Sequence, residues 1–255
     1  MATEDIFSIN TNKELLSIYY TAGYPNLDST LPIAEELQAA GVDFLEIGFP
    51  YSDPVADGPV IQHSSEEALK NGMHVARLFE QLKELRQRIH IPIFLMGYFN
   101  PVLSYGVERF CADCKAVGVN GVIIPDLPMY EYEELYKDLF EANGISNIFL
   151  VTPQTSDERI RKIDALSNSF IYLLSSNATT GKNLQVEQKS EDYFNRIKGM
   201  NLKNPLVIGF GIANSASFKK ATQYAKGAII GTAFVKILAK DNYLNEIKPF
   251  IASIR

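Results

Sequence analysis

The chain is short of positive charge, of cysteine and of long apolar runs, and each shortage removes a class of function. It has 24 Lys and Arg against 30 Asp and Glu, a formal charge of −6 with a pI near 5.2. Nucleic acid and anionic membrane surfaces both require a concentrated basic face, so neither is expected as a partner. No apolar run is long enough to span a bilayer, and Met1-Ala2-Thr3-Glu4-Asp5-Ile6 lacks the basic and apolar regions of a leader. A soluble, cytoplasmic protein is expected. The two cysteines, Cys111 and Cys114, fall inside a predicted helix from about Val107 to Ala116 instead of at a strand-to-helix junction, so they read as a reduced structural pair. His63, His74 and His90 show no close metal-ligand spacing, and no metal site is expected.

Hydrophobic residues make up 46% of the 255 residues and charged residues 21%, which suits a globular core and disfavours global disorder. Short β-rich apolar runs recur at Leu16–Thr21, Phe44–Phe49, Ile91–Tyr98, Gly121–Pro125, Asn147–Thr152, Phe170–Ser175, Pro205–Gly209 and Ala228–Gly231. Segments of helical period lie between them: one opens near Ser29 and closes at Gly41, and others cover Glu131–Ala142, Asp157–Leu166, Glu187–Lys198 and Ser215–Ala225. Near-continuous apolar strands alternating with helices imply a parallel sheet covered by those helices. Eight such units in about 250 residues predict an α/β fold of the (β/α)8 TIM-barrel type, one domain over residues 1–255. An open doubly wound sheet is the competitor, but Thr21-Ala22-Gly23-Tyr24-Pro25 after the first strand is no Gly-x-Gly-x-x-Gly turn. Extra helices are expected at Gln62–Gly72 followed by His74–Arg88, and at Asp241–Ile254.

Two carboxylates stand out in the run Leu45-Glu46-Ile47-Gly48-Phe49-Pro50-Tyr51-Ser52-Asp53-Pro54-Val55-Ala56-Asp57-Gly58-Pro59. Glu46 sits within an apolar strand pattern, and Asp57 in a loop punctuated by Pro54, Gly58 and Pro59. A buried ionisable side chain is costly unless it is paired or functional. No Lys or Arg lies between residues 14 and 69 to pair with Glu46 locally. On these residues alone two accounts stand side by side: acid–base chemistry, or a strand Glu satisfied by distant donors beside ordinary Asp-Gly turn chemistry.

Small residues close the last three predicted strands: Thr179-Thr180-Gly181, Gly209-Phe210-Gly211 and Gly231-Thr232-Ala233. Each glycine alone reads as a cap or a tight turn. Together, at the ends of the last three strands, they read as a phosphate cup, because glycine lets backbone N–H groups approach an anion. No lysine occupies any predicted strand, so a Schiff-base aldolase lacks its nucleophile. What remains is acid–base chemistry by Glu46 and Asp57 on a phosphorylated substrate. Tyr19, Phe49, Met96, Tyr98, Tyr172 and Phe210 at strand ends suit a flat aromatic group, although each could instead be barrel core, the reading favoured for Phe49 and Met96.

With these residues in place the chain resembles the tryptophan synthase alpha subunit over essentially its whole length. The resemblance is carried by the Leu45–Pro59 run with Gln62 following, Tyr20-Thr21-Ala22-Gly23-Tyr24-Pro25, Pro125-Asp126-Leu127-Pro128, Tyr172-Leu173-Leu174-Ser175, Gly209-Phe210-Gly211-Ile212 and Gly231-Thr232-Ala233-Phe234-Val235-Lys236. It implies a retro-aldol lyase of L-tryptophan biosynthesis that cleaves indole-3-glycerol phosphate to indole and glyceraldehyde 3-phosphate. The resemblance further implies no cofactor in this chain and an alpha2beta2 heterotetramer with a pyridoxal-phosphate beta subunit. Glu46 matches the main acid–base carboxylate and Asp57 the second. Tyr19, Ile61, Tyr98, Tyr172, Thr180 and Phe210 match substrate-binding positions, and Gly181, Gly211, Gly231 and Thr232 phosphate-binding ones. Asp53, Pro54, Asn100 and Pro128 match positions facing the beta subunit, although each could be a plain turn residue. The family commonly reads Ser-Arg-x-Gly-Val-Thr-Gly where this chain has Ser175-Ser176-Asn177-Ala178-Thr179-Thr180-Gly181. Ser176 and Ala178 thus remove a guanidinium and a flexible glycine, which bears on loop closure. A stand-alone lyase of the same family and a noncatalytic regulatory subunit are the alternatives.

Overall fold

The computed structural model describes residue 7 and residues 13–55, 57–174 and 184–255. Among them nine parallel strands form one sheet in the order β5-β4-β3-β2-β1-β9-β8-β7-β6. They are β1 (Leu15–Thr21), β2 (Phe44–Gly48), β3 (Ile93–Met96), β4 (Gly121–Ile123), β5 (Ser146–Asn147), β6 (Leu150–Val151), β7 (Ile171–Leu174), β8 (Leu206–Gly209) and β9 (Gly227–Ile230). The expected fifth strand is here two short ones, and the division closes the barrel. Its first half pairs with β4 and its second with β7. Ile148 and Phe149 between them carry the ladder across, through Ile148 N–H to the Val122 carbonyl at 2.9 Å and Tyr172 N–H to the Phe149 carbonyl at 3.0 Å. With β1 bonded to both β2 and β9, the eight expected units make the TIM barrel.

Side-chain alternation sorts the strands into two cores. Leu15, Phe44, Phe94, Ile123, Ile148, Phe170, Tyr172, Val207 and Ile229 come from the strands or from residues next to them all round the sheet and pack with one another, so they fill the barrel interior. Phe7 joins them, stacked on Phe170 at 5.0 Å and edge-on to Phe44 at 5.1 Å. The intervening residues, such as Leu16, Ile18, Leu45, Ile47, Leu95 and Ile208, pack outward under the helices. Phe49 belongs to that outer core, 6.0 Å from Phe110, and Met96 packs on the inner one.

Helices cover the outside where their period predicts, at Thr30–Ala39, Pro59–Lys70, Val107–Val117, Asp157–Leu166, Leu184–Gly199, Ser215–Thr222 and Tyr243–Ile254. The segment expected as one helix over His74–Arg88 is two, Val75–Leu82 and Leu85–Arg88. The His74 ring caps the first by accepting from Arg77 N–H at 3.2 Å. The run Met129–Ala142 is helical with a wide π turn at Tyr132–Tyr136. Cys111 and Cys114 face the core from Val107–Val117, and burial pushes the Cys111 thiol up to about 12. The end of the barrel where the strands begin is tied by ionic contacts. Asp43 pairs with Lys13 and Arg255 and accepts from Leu16 N–H at 2.8 Å. Arg86 directs its N–H groups onto the carbonyls of Gly118, Ile89 and Ile91 and the Asn120 side chain. Contacts at this end carry stability, and the opposite end is free for chemistry.

Phe170 is fully buried and touches Phe7, Phe44 and Phe94. Phe170→Ala is expected to destabilise the protein by about 3–5 kcal/mol, read from urea unfolding. A loss under about 1 kcal/mol would show that the aromatic cluster is not the centre of the interior.

Candidate active site

The carboxylates come from one unit of the barrel but from different kinds of backbone. Glu46 is the middle residue of β2, flanked by Tyr19 on β1 and Phe94 on β3 in the ladder. Alternation turns it inward with Phe44 and Gly48. It is fully buried, and among the described residues neither carboxyl oxygen has a hydrogen-bond partner. Burial pushes its pKa up to about 8, with no cation among the described residues to offset the desolvation. At neutral pH the carboxyl is therefore largely a neutral acid.

Asp57 sits in the loop after β2, half-buried, just before the helix Pro59–Lys70. Its Oδ2 accepts from the Tyr98 hydroxyl at 3.0 Å, and its carbonyl from Gln62 Nε2 at 2.8 Å. Burial raises its pKa, and the Tyr98 hydrogen bond pulls it partly back. Tyr98 was expected within the third strand, but β3 ends at Met96, and Tyr98 instead precedes the helix Phe99–Tyr105. Beyond the strand end, its hydroxyl can also accept from Val55 N–H, at 3.1 Å. The Tyr51 ring lies 5.2 Å from that of Tyr98.

Two further tyrosines line the interior around Glu46. The Tyr172 hydroxyl rests over Gly209 and the Tyr19 hydroxyl over Gly48; a Cβ on either glycine would lie within 2.1 Å and 2.3 Å of the respective oxygen. The missing side chains make room for the phenols. Burial, with the fields of Glu46 and Asp57, holds both phenols well above their ordinary pKa and therefore protonated. Phe210 adopts φ 65°, a left-handed conformation that is strained for a side chain with a Cβ. It thereby sets its ring edge-on to Tyr172, 6.2 Å away. Ile61 is buried on the helix that follows Asp57.

Of the residues proposed for phosphate, Gly211 follows β8 with φ 77°, while Gly231 and Thr232 open the helix Thr232–Leu238 after β9. Gly231 borders the Tyr19 ring, where a Cβ would stand 3.4 Å from Cδ1. Thr180 and Gly181, with Ser176 and Ala178, lie outside the described residues. Asp53, Pro54, Asn100 and Pro128 follow the ends of β2, β3 and β4, three neighbouring strands, and so share one sector of the rim. Val55, Leu103 and Tyr130 expose apolar surface in the same sector, Val55 at 87%. Among the described residues no His, Cys, Asp or Glu cluster could hold a metal ion, and no helix is long and apolar enough to cross a membrane. Thr21 and Ser64, buried hydroxyls that meet at 2.7 Å beside Tyr19, were not singled out from the sequence. Thr21, two residues beyond Tyr19 on the same face of β1, was the available signal.

A sequence profile described as tryptophan synthase alpha chain matches residues 7–252. The chain belongs to the tryptophan synthase alpha chain family. It is similar to the tryptophan synthase alpha chain of Flavobacterium psychrophilum, 55% identical over 96% of this chain and 97% of that one. That of Christiangramia forsetii is 51% identical over 97% and 96%. Among solved structures, tryptophan synthase subunit alpha from Legionella pneumophila superposes with a TM-score of 0.89 at 30% identity, covering 100% of this chain and 97% of that one. A chain of tryptophan synthase from M. tuberculosis in an aminoacrylate-bound form superposes at 0.86 and 29% identity, covering 99% and 97%. As a member of the tryptophan synthase alpha chain family, the chain shares its TIM-barrel frame with these structures.

The displaced pKa of Glu46 has a thermodynamic signature. A glutamate in the unfolded chain ionises near 4.5 and Glu46 in the folded one near 8. Between those values the unfolded chain loses this proton while the folded one keeps it, so the Glu46 contribution to stability declines as pH rises through that window. Glu46→Gln is expected to remove that decline. Its melting temperature relative to the parent should climb from about pH 5 to about pH 8 in calorimetry; a constant difference would mean that Glu46 titrates normally.

Proposed function

We propose that this chain cleaves indole-3-glycerol phosphate to indole and glyceraldehyde 3-phosphate, as the alpha subunit of tryptophan synthase in L-tryptophan biosynthesis. The observation that carries the reading is Glu46, a buried carboxyl with no partner among the described residues, inside a TIM barrel of this family. A neutral acid can give its proton to C3 of the indole ring, which turns the ring into an electron sink. The resulting carboxylate then takes the proton of the hydroxyl on the carbon attached to the ring. That oxygen forms the aldehyde C=O, the bond between this carbon and C3 breaks, and its electron pair returns to the ring. Glu46 ends as it began, protonated, so one residue serves as acid and base and no lysine is required.

Asp57 is the partner charge in this scheme: its carboxylate, oriented by Tyr98, stabilises the positive charge that develops at the indole N–H. Tyr19, Ile61, Tyr98, Tyr172 and Phe210 form the aromatic and apolar walls, and Thr180 completes the substrate contacts. Gly181, Gly211, Gly231 and Thr232 take the phosphate through backbone N–H groups and the Thr232 hydroxyl. The chain itself uses no cofactor. Its partner is a pyridoxal-phosphate beta subunit in an alpha2beta2 assembly, seated on the rim of Asp53, Pro54, Asn100 and Pro128, where Val55, Leu103 and Tyr130 leave apolar surface uncovered. The compartment for such a pair is the cytoplasm.

Glu46→Gln is expected to lower indole release by about 10²–10⁴-fold and to leave phosphate-ligand affinity largely intact. The assay is indole formation from indole-3-glycerol phosphate with saturating beta subunit. Turnover within a few-fold of the parent would remove Glu46 from the acid–base role.

A further inference from the structure

We propose that the Tyr19 hydroxyl is a specificity-determining hydrogen-bond acceptor for the middle hydroxyl of the substrate's glycerol chain, its own proton being turned away by the Thr21 and Ser64 hydroxyls. The proposal rests on the cleavage reading and adds to it the direction of one hydrogen bond.

One arrangement of protons satisfies all three contacts of this row of hydroxyls at once. Ser64, on the helix Pro59–Lys70, donates its single proton to the Ile61 carbonyl at 2.8 Å. Its oxygen lies 2.7 Å from Thr21 Oγ1, so in that short bond Thr21 must be the donor. Thr21 has then used its only proton and can only accept from Tyr19, whose hydroxyl is 3.5 Å away, a long bond. Thr21 and Ser64 are both buried, so water does not compete for these protons. Tyr19 accordingly points its proton toward Thr21 and presents lone pairs to the interior. A phosphate or a carboxylate would be repelled there, whereas a neutral O–H is matched.

Position selects which O–H. Tyr19 stands on β1 beside Glu46 in the ladder to β2. On the other side its ring borders Gly231, just past the end of β9. A substrate with its phosphate at Gly231 and its ring carbon at Glu46 must carry its three-carbon link past Tyr19. The hydroxyl next to the ring is the one that Glu46 deprotonates, so the middle hydroxyl falls to Tyr19. This hydroxyl keeps its proton throughout, and a bond to it is equally strong before and during the reaction. Such a bond lowers KM and leaves kcat alone.

Tyr19→Phe removes one oxygen and keeps the ring. With the beta subunit present, KM for indole-3-glycerol phosphate is expected to rise by about five- to tenfold, the scale of one neutral hydrogen bond, with kcat within about twofold of the parent. The inhibition constant of indole-3-propanol phosphate, which has no glycerol hydroxyl, should stay within about twofold. Equal weakening of both ligands, or of neither, would overturn the proposal, because a disturbed pocket does not tell the two apart. Thr21→Val, which takes away the acceptor that orients Tyr19, should raise KM in the parent and add nothing in combination with Tyr19→Phe; additive effects would break the link between the hydroxyls. Absence of cleavage by the parent would instead defeat the cleavage reading, and the two ligands would then be compared by their dissociation constants.

Discussion

The burial of Glu46 with no counter-charge among the described residues is the constraint on which the site is built. A carboxylate held out of water with no cation and no donor is strongly disfavoured, so the group responds by keeping its proton. The fold enforces this from several directions. Residues 14–69 contain no Lys or Arg to supply a nearby cation. Phe44, Phe94 and Phe170 fill the interior on one side, and Tyr19 and Tyr172, themselves held neutral, crowd the other. Gly48 and Gly209 accommodate the phenols at positions where any side chain would collide with them.

Asp57 answers the same electrostatic problem differently, and the contrast divides the chemistry. It stands on a loop, half-buried, with a hydroxyl donor on its carboxylate, so ionisation is less opposed than at Glu46. On the proposed reading the strand supplies a fixed acid and the loop an adjustable anion. The loop also reaches the rim: Val55, almost fully exposed, donates its N–H to the Tyr98 oxygen that in turn donates to Asp57. A protein seated on this sector would thus bear on the anion through two hydrogen bonds, without contact to the substrate.

Periodicity made most of the frame legible, because strands buried on both faces and helices with one apolar stripe leave different patterns. The interior carboxyl was legible too, as a Glu in an apolar strand with no local cation. What escaped depended on contacts distant in sequence. The fifth strand divides at Ile148 because its two halves follow different neighbours, β4 and β7, which no local pattern records. Tyr98 lies past its strand because β4 pairs with β3 only as far as Met96. The hydroxyl row of Tyr19, Thr21 and Ser64 joins residues 43 positions apart, and small polar residues carry no periodic signal of their own.

The chemistry at this site depends on Glu46 being a neutral acid at physiological pH. Its side-chain carboxyl can be followed directly by 13C NMR of selectively labelled glutamate in the ligand-free protein, with Glu46→Gln identifying the resonance. A midpoint near 8 is expected. A midpoint near 4.5, the value for an ordinary glutamate, would mean that the carboxyl is ionised at rest and could not deliver the first proton.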